Sequence, residues 1–108
     1  MNPDAIARLR ARCGSPRDGA LLRFALGQAL LAAGDAGAAA TELRAATGFD
    51  PHYSAAWKLL GKALQATGDA VAAADAWRSG IAVAEARGDV QAAKEMRVFL
   101  RRSASAPR

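Results

Sequence analysis

Two residues of this sequence carry side chains that commonly do covalent or metal chemistry, and each stands alone. Cys13 is the only cysteine and His52 the only histidine. A thiol nucleophile needs a base oriented toward it, and no motif links Cys13 to His52. A zinc site needs further Cys, His or carboxylate ligands at a recognisable spacing, and His52 has none. No phosphate loop or nucleophile motif accompanies them. The expectation is a chain that is not an enzyme and holds no metal and no cofactor. A lone cysteine excludes an intrachain disulfide and suits a reducing compartment. The opening stretch MNPDAIARLRARCGSP lacks the apolar segment of a secretion signal, and no apolar run is long enough to cross a membrane, so a cytoplasmic location is expected.

The elements that would position any site are helical. Hydrophobic residues make up 52% of the 108, but many are alanines, as in Ala38–Ala40 and Ala72–Ala74. Alanine favours helix and close helix approach while burying little area. Few large side chains are left to anchor a core: Leu26, Leu30, Leu43, Trp57, Leu60, Leu64, Trp77 and Phe99 lead the set. β-branched residues are scarce and no stretch alternates, so the class is all-α. The length suits one domain. The net charge of +5 is uneven: residues 1–23 carry +3, residues 24–96 carry −2 and residues 97–108 carry +4. A mildly acidic body with basic ends is not the basic stripe of a nucleic-acid binder. Arg97, Arg101 and Arg102 are expected to complement the dipole of a last helix.

The chain repeats itself. At an offset of 34, Leu26-Gly27 meets Leu60-Gly61, Leu30 meets Leu64, Gly34-Asp35 meets Gly68-Asp69, Ala39 meets Ala73 and Arg44 meets Arg78. Gly27 and Gly61 fall inside helices, where glycine costs about 1 kcal/mol relative to alanine, so a close neighbour must compensate. Gly34 and Gly68 suit left-handed helix ends, and Asp35 and Asp69 suit caps of the next helix. Asp50-Pro51 is read as the opening of the second copy, with proline at its first helical position, and Ser15-Pro16 with Asp18 as the cap of the first. Gly88-Asp89 introduces a final helix.

On Trp57, Leu60, Gly61, Leu64, Ala73 and Trp77, and on Leu26, Gly27, Leu30, Ala39, Leu43 and Pro51, the chain resembles the tetratricopeptide-repeat (TPR) family. It departs from that pattern at Arg23, where tryptophan is usual, and at Glu85, where proline is. The resemblance implies a right-handed superhelix of antiparallel helix pairs with about six helices: a leading helix 3–13, repeat one 20–53, repeat two 54–87, a capping helix 90–102, and a disordered tail 103–108. The alanine and arginine usage resembles small stand-alone TPR proteins of bacteria.

In that family the first helices of successive repeats line a concave groove that holds peptides. Transferred by position, the resemblance implies a groove built from Phe24, Gln28 and Leu31 in repeat one and Lys58, Lys62 and Gln65 in repeat two. Lys58 and Lys62 are either ordinary solvated lysines or attract an acidic segment or free C-terminus, with Gln28 and Gln65 bonding its backbone. The carboxylate clamp of one TPR subclass is not reproduced, because Phe24 fills a lysine place and Gln28 and Leu59 fill asparagine places. Phe24 and Leu31 are expected to pack beneath the leading helix or to form a partner or self-association patch. The implied function is a non-catalytic protein- or peptide-binding adaptor. The alternative is a structural subunit or homo-oligomer whose groove is filled by its own or a fixed partner chain.

Overall fold

The computed structural model describes residues 3–105, and over that span the chain forms six helices and no strand. They are α1 (Pro3–Arg10), α2 (Ala20–Ala32), α3 (Ala36–Phe49), α4 (Ser54–Ala66), α5 (Ala70–Arg87) and α6 (Val90–Ser105). In so alanine-rich a chain helix forms readily, and punctuation decides where each one stops. Gly34 and Gly68 have φ of +87° and +89°, a region that costs a residue bearing a Cβ roughly 1–2 kcal/mol. The next residue closes each turn: the Asp35 N–H donates back to the Leu30 carbonyl at 2.9 Å, and that of Asp69 to Leu64 at 3.0 Å. The same aspartates then cap the following helix, Asp35 accepting from the Ala38 N–H at 3.1 Å and Asp69 from the Ala72 N–H at 3.0 Å. Asp89 repeats the cap on Ala92 at 3.2 Å. Each such cap is worth about 1 kcal/mol. Turns this short fold α2 against α3, and α4 against α5, as antiparallel hairpins.

Several boundaries differ from the sequence expectation. The leading helix ends at Arg10, not residue 13, because Arg12 and Cys13 donate to carbonyls three residues back and the chain then reverses at Gly14. The N-cap of α2 is Gly19, with no side-chain cap; Asp18 spends its carboxylate on the Gly14 and Gly19 N–H groups and on Arg23. Pro51 is not the first residue of α4. It lies in a turn ahead of the Tyr53 N-cap, where its carbonyl accepts from Trp57 Nε1 at 2.8 Å. The segment expected as a tail is helical as far as Ser105. No helix breaker precedes Pro107, and Leu100 and Ser103 lie against Ala70, Val71 and Ala74 at the start of α5. Residues 106–108 fall outside the described residues.

The core runs between the two helix layers, with Leu26, Leu43, Leu60, Trp77 and Met96 its largest fully buried side chains. Burial of each is worth about 1.5–3 kcal/mol, which is why so few suffice to organise the alanines. The mid-helix glycines are contact points. A Cβ on Gly27 would stand 2.6 Å from Leu43 Cγ, and one on Gly61 would collide with the Trp77 indole. Gly80, which the repeat does not mark, is held open by Met96 and by Trp57 Cβ at 2.7 Å.

Each helix packs on the next in sequence, and α4 also touches α2 and α6. The backbones of the helices in the other layer, α3 and α5, do not come as close to one another. A layer whose members touch is shorter across than one whose members are splayed. The slab therefore bends, and α2, α4 and α6 form its concave side.

Candidate functional site

Three rows of side chains run along α2, α4 and α6. On α2 the row is Phe24, Gln28 and Leu31, and on α4 it is Lys58, Lys62 and Gln65, both at the i, i+4, i+7 spacing that keeps residues on one helix face. α6 supplies a third row with the same spacing, Glu95, Phe99 and Arg102, which sequence reasoning missed.

The α4 and α6 rows meet rung by rung. Lys58 Nζ is 3.0 Å from Glu95 Oε2, with side chains 29% and 36% exposed. Lys62 Nζ lies 4.7 Å from the centroid of the Phe99 ring, a cation–π contact worth about 0.5–1 kcal/mol at an exposed site. Gln65 and Arg102 form the third rung, lining a recess of about 370 Å³ with Lys62, Phe99 and Trp77. Trp77 forms part of its floor. Its ring is 5.4 Å from that of Phe99, and its Nε1 donates to the Lys58 carbonyl at 3.1 Å. The recess is thus apolar below and cationic at the rim.

Charge is not distributed along these rungs as the sequence suggests. The ammonium of Lys58 donates to Glu95, and that hydrogen bond, with a second from Gln91, holds the Glu95 carboxyl below its usual range. Lys58 is therefore neither a solvated lysine nor a free cation. Lys62 and Arg102 have no carboxylate within ion-pair distance among the described residues.

The α2 row is more separate. Phe24 is half-buried, its ring 5.0 Å from that of Tyr53 at the head of α4. Leu31 is half-buried against the core and Gln28 is exposed. Tyr53 therefore covers part of the Phe24 face, a contact between the first two rows that the repeat pattern does not mark. Neither hydrogen bond nor ion pair joins the α2 row to the α4 row among the described residues.

Outside the groove, Arg23 occupies the place where the second repeat has Trp57. Its guanidinium grips Asp18 through two bonds of 2.9 Å and reaches Glu42 at 3.0 Å. The Arg23 bond, then the Gly14 N–H, hold the Asp18 carboxyl far below its ordinary value. Burial raises the Cys13 thiol against a smaller opposing pull from Arg23, and its hydrogen points to the Leu9 carbonyl at 3.7 Å. A thiol so held is a poor nucleophile. His52 is exposed in the turn before α4, its N–H bonded to Asp50. Among the described residues no cluster of three or more His, Cys, Asp or Glu could hold a metal ion, and no helix is long and apolar enough to cross a membrane.

No protein-family profile matches the chain. It is 58% identical over 85 residues to the TPR repeat-containing protein PA0015 of Pseudomonas aeruginosa, a match covering 79% of this chain and 81% of that protein. It also resembles the solution structure of protein BPP2914 from Bordetella parapertussis. That similarity has a TM-score of 0.80 at 49% identity and covers 96% of this chain and 90% of the other.

Proposed function

Because the chain belongs to the tetratricopeptide-repeat family, we propose that it is a non-catalytic adaptor whose concave groove binds a segment of another protein. The observation that supports this best is the contact between alternate helices, which bends α2, α4 and α6 into one inward face. Phe24, Gln28 and Leu31 give that face an apolar end, and Lys62 and Gln65, with Phe99 and Arg102 beside them, a cationic one. Lys58 contributes as the partner of Glu95, not as a free charge. An acidic segment or a free C-terminus suits such a surface better than nucleic acid does, since residues 24–96 carry a net charge of −2. A cytoplasmic setting, with its reduced thiols, fits the single unpaired Cys13.

A structural subunit is the second reading. Its support is the exposed Val71, at 75%, beside the apolar recess formed with Leu100 and Ala74, an edge that a second copy or a fixed partner would cover. Sedimentation across a wide concentration range separates the two. The adaptor is expected to remain monomeric and to capture peptides through the groove. A dimer persisting to the lowest concentration would overturn the adaptor reading in favour of the subunit.

A further inference from the structure

The three rungs between α4 and α6 are not equivalent toward an anion. At the first, Lys58 and Glu95 neutralise each other. At the second and third, Lys62 and Arg102 flank the recess over Phe99, and neither forms an ion pair among the described residues. A negative group in the groove finds no free cation at one end and two cations at the other. The distance between the two ends is set by seven residues of helix, about 10 Å. The recess, at about 370 Å³, has room for a bulky apolar side chain on its aromatic floor as well as a carboxylate at its rim.

We infer that the α4–α6 recess is a specificity pocket for an acidic peptide segment in which a carboxylate neighbours a large apolar side chain. Lys62 and Arg102 hold the carboxylate, Phe99 takes the apolar group above the buried Trp77, and the Lys58–Glu95 pair offers the carboxylate no free cation at the other end. The inference rests on the groove-binding reading above and adds the chemistry and the orientation of the occupant. Charge complementarity chooses the occupant. Among the described residues the pocket offers two cations outside any ion pair, and Glu95 beside them is bonded to Lys58.

The test uses isotope-labelled full-length protein, with amide resonances followed during titration with N-acetyl-leucyl-glutamate amide and with its glutamine counterpart. The acidic dipeptide is expected to shift Lys62, Gln65, Phe99 and Arg102 saturably. The neutral one should bind about threefold to fivefold more weakly, the scale of a half-exposed ion pair. Arg102→Gln should remove that preference, whereas Lys58→Gln combined with Glu95→Gln should leave it intact. Glu95→Gln should extend the shifts to the Lys58 end. Equal binding of the two dipeptides, or equal loss from the Lys58→Gln, Glu95→Gln double variant and from Arg102→Gln, would overturn the pocket. Saturable shifts confined to Phe24, Leu31 and Tyr53 would overturn the pocket while keeping the groove. No saturable shift anywhere on α2, α4 or α6 would overturn the inference, and an accompanying lack of peptide capture by the whole protein would remove the groove reading with it.

Discussion

The two hairpins solve one geometric problem with different side chains. In α2–α3, Gly27 admits Leu43; in α4–α5, Gly61 admits Trp77, and the indole also donates to the Lys58 carbonyl. In α2–α3 a polar clamp of Arg23, Asp18 and Glu42 stands at the place that Trp57 fills in α4–α5. What the repeat conserves between its copies is thus a gap and something to fill it. Leucine can rotate within such a gap, whereas an indole pinned by a hydrogen bond cannot. The second hairpin should therefore be the less forgiving of the two.

The largest expected effects come from emptying the gaps. Trp77→Ala should cost about 4 kcal/mol and Leu43→Ala about 3 kcal/mol, measured by urea denaturation. A domain of this size holds only roughly 5–15 kcal/mol, so the first variant should sit near the threshold of folding. Overfilling the gaps is a sharper test. Gly61→Ala should destabilise by about 2 kcal/mol. Gly27→Ala should cost less, about 1 kcal/mol, since alanine is the better helix former and leucine has more rotamers than a hydrogen-bonded indole. Equal costs would end the distinction between a rigid and a yielding partner. Adding Trp77→Leu to Gly61→Ala should recover part of the loss, since it gives the second hairpin the pairing of the first.

The smallest effect concerns acid. Asp18 is held below its ordinary value of 3.8 by Arg23 and backbone donors. Its contribution is therefore complete at neutral pH and is lost as pH falls through and below that value. Glu95 acts in the same sense through Lys58. Asp18→Asn should flatten the fall in stability between about pH 4 and pH 2, and Glu95→Gln should do so to a lesser degree. A stability profile unchanged by Asp18→Asn would show that the clamp does no more than fill space.

Much of this fold was legible because its signals are local. Glycine followed by aspartate specifies a left-handed end and a cap within two residues, and Gly27 and Gly61 announce close neighbours without naming them. The start of α4 was misread because Asp50-Pro51 has the composition of a helix opening while its hydrogen bonds build a turn. The end of α6 was misread because polarity alone does not stop a helix. In the groove, the α2 and α4 rows follow from the repeat, but the partner of Lys58 does not. Glu95 lies 37 positions away, three beyond the repeat offset. The extra residues belong to the longer α5, so the third row escapes a comparison at fixed spacing. A search for matching i, i+4, i+7 rows, independent of offset, would have paired Lys58, Lys62 and Gln65 with Glu95, Phe99 and Arg102.

Contacts confined to neighbouring helices also set how the chain gains and loses order. Loops of a few residues separate the members of each hairpin, so the first native contacts close quickly and little entropy is spent on long loops. Either hairpin can start the process, and the other is then recruited across the α3–α4 contact. Disorder, in turn, enters from the ends. α1 leans on α2 alone, whereas α4 is held on four sides by α2, α3, α5 and α6. The helix that carries Lys58, Lys62 and Gln65 should therefore be the last to exchange its amide hydrogens with solvent, with α1 the first.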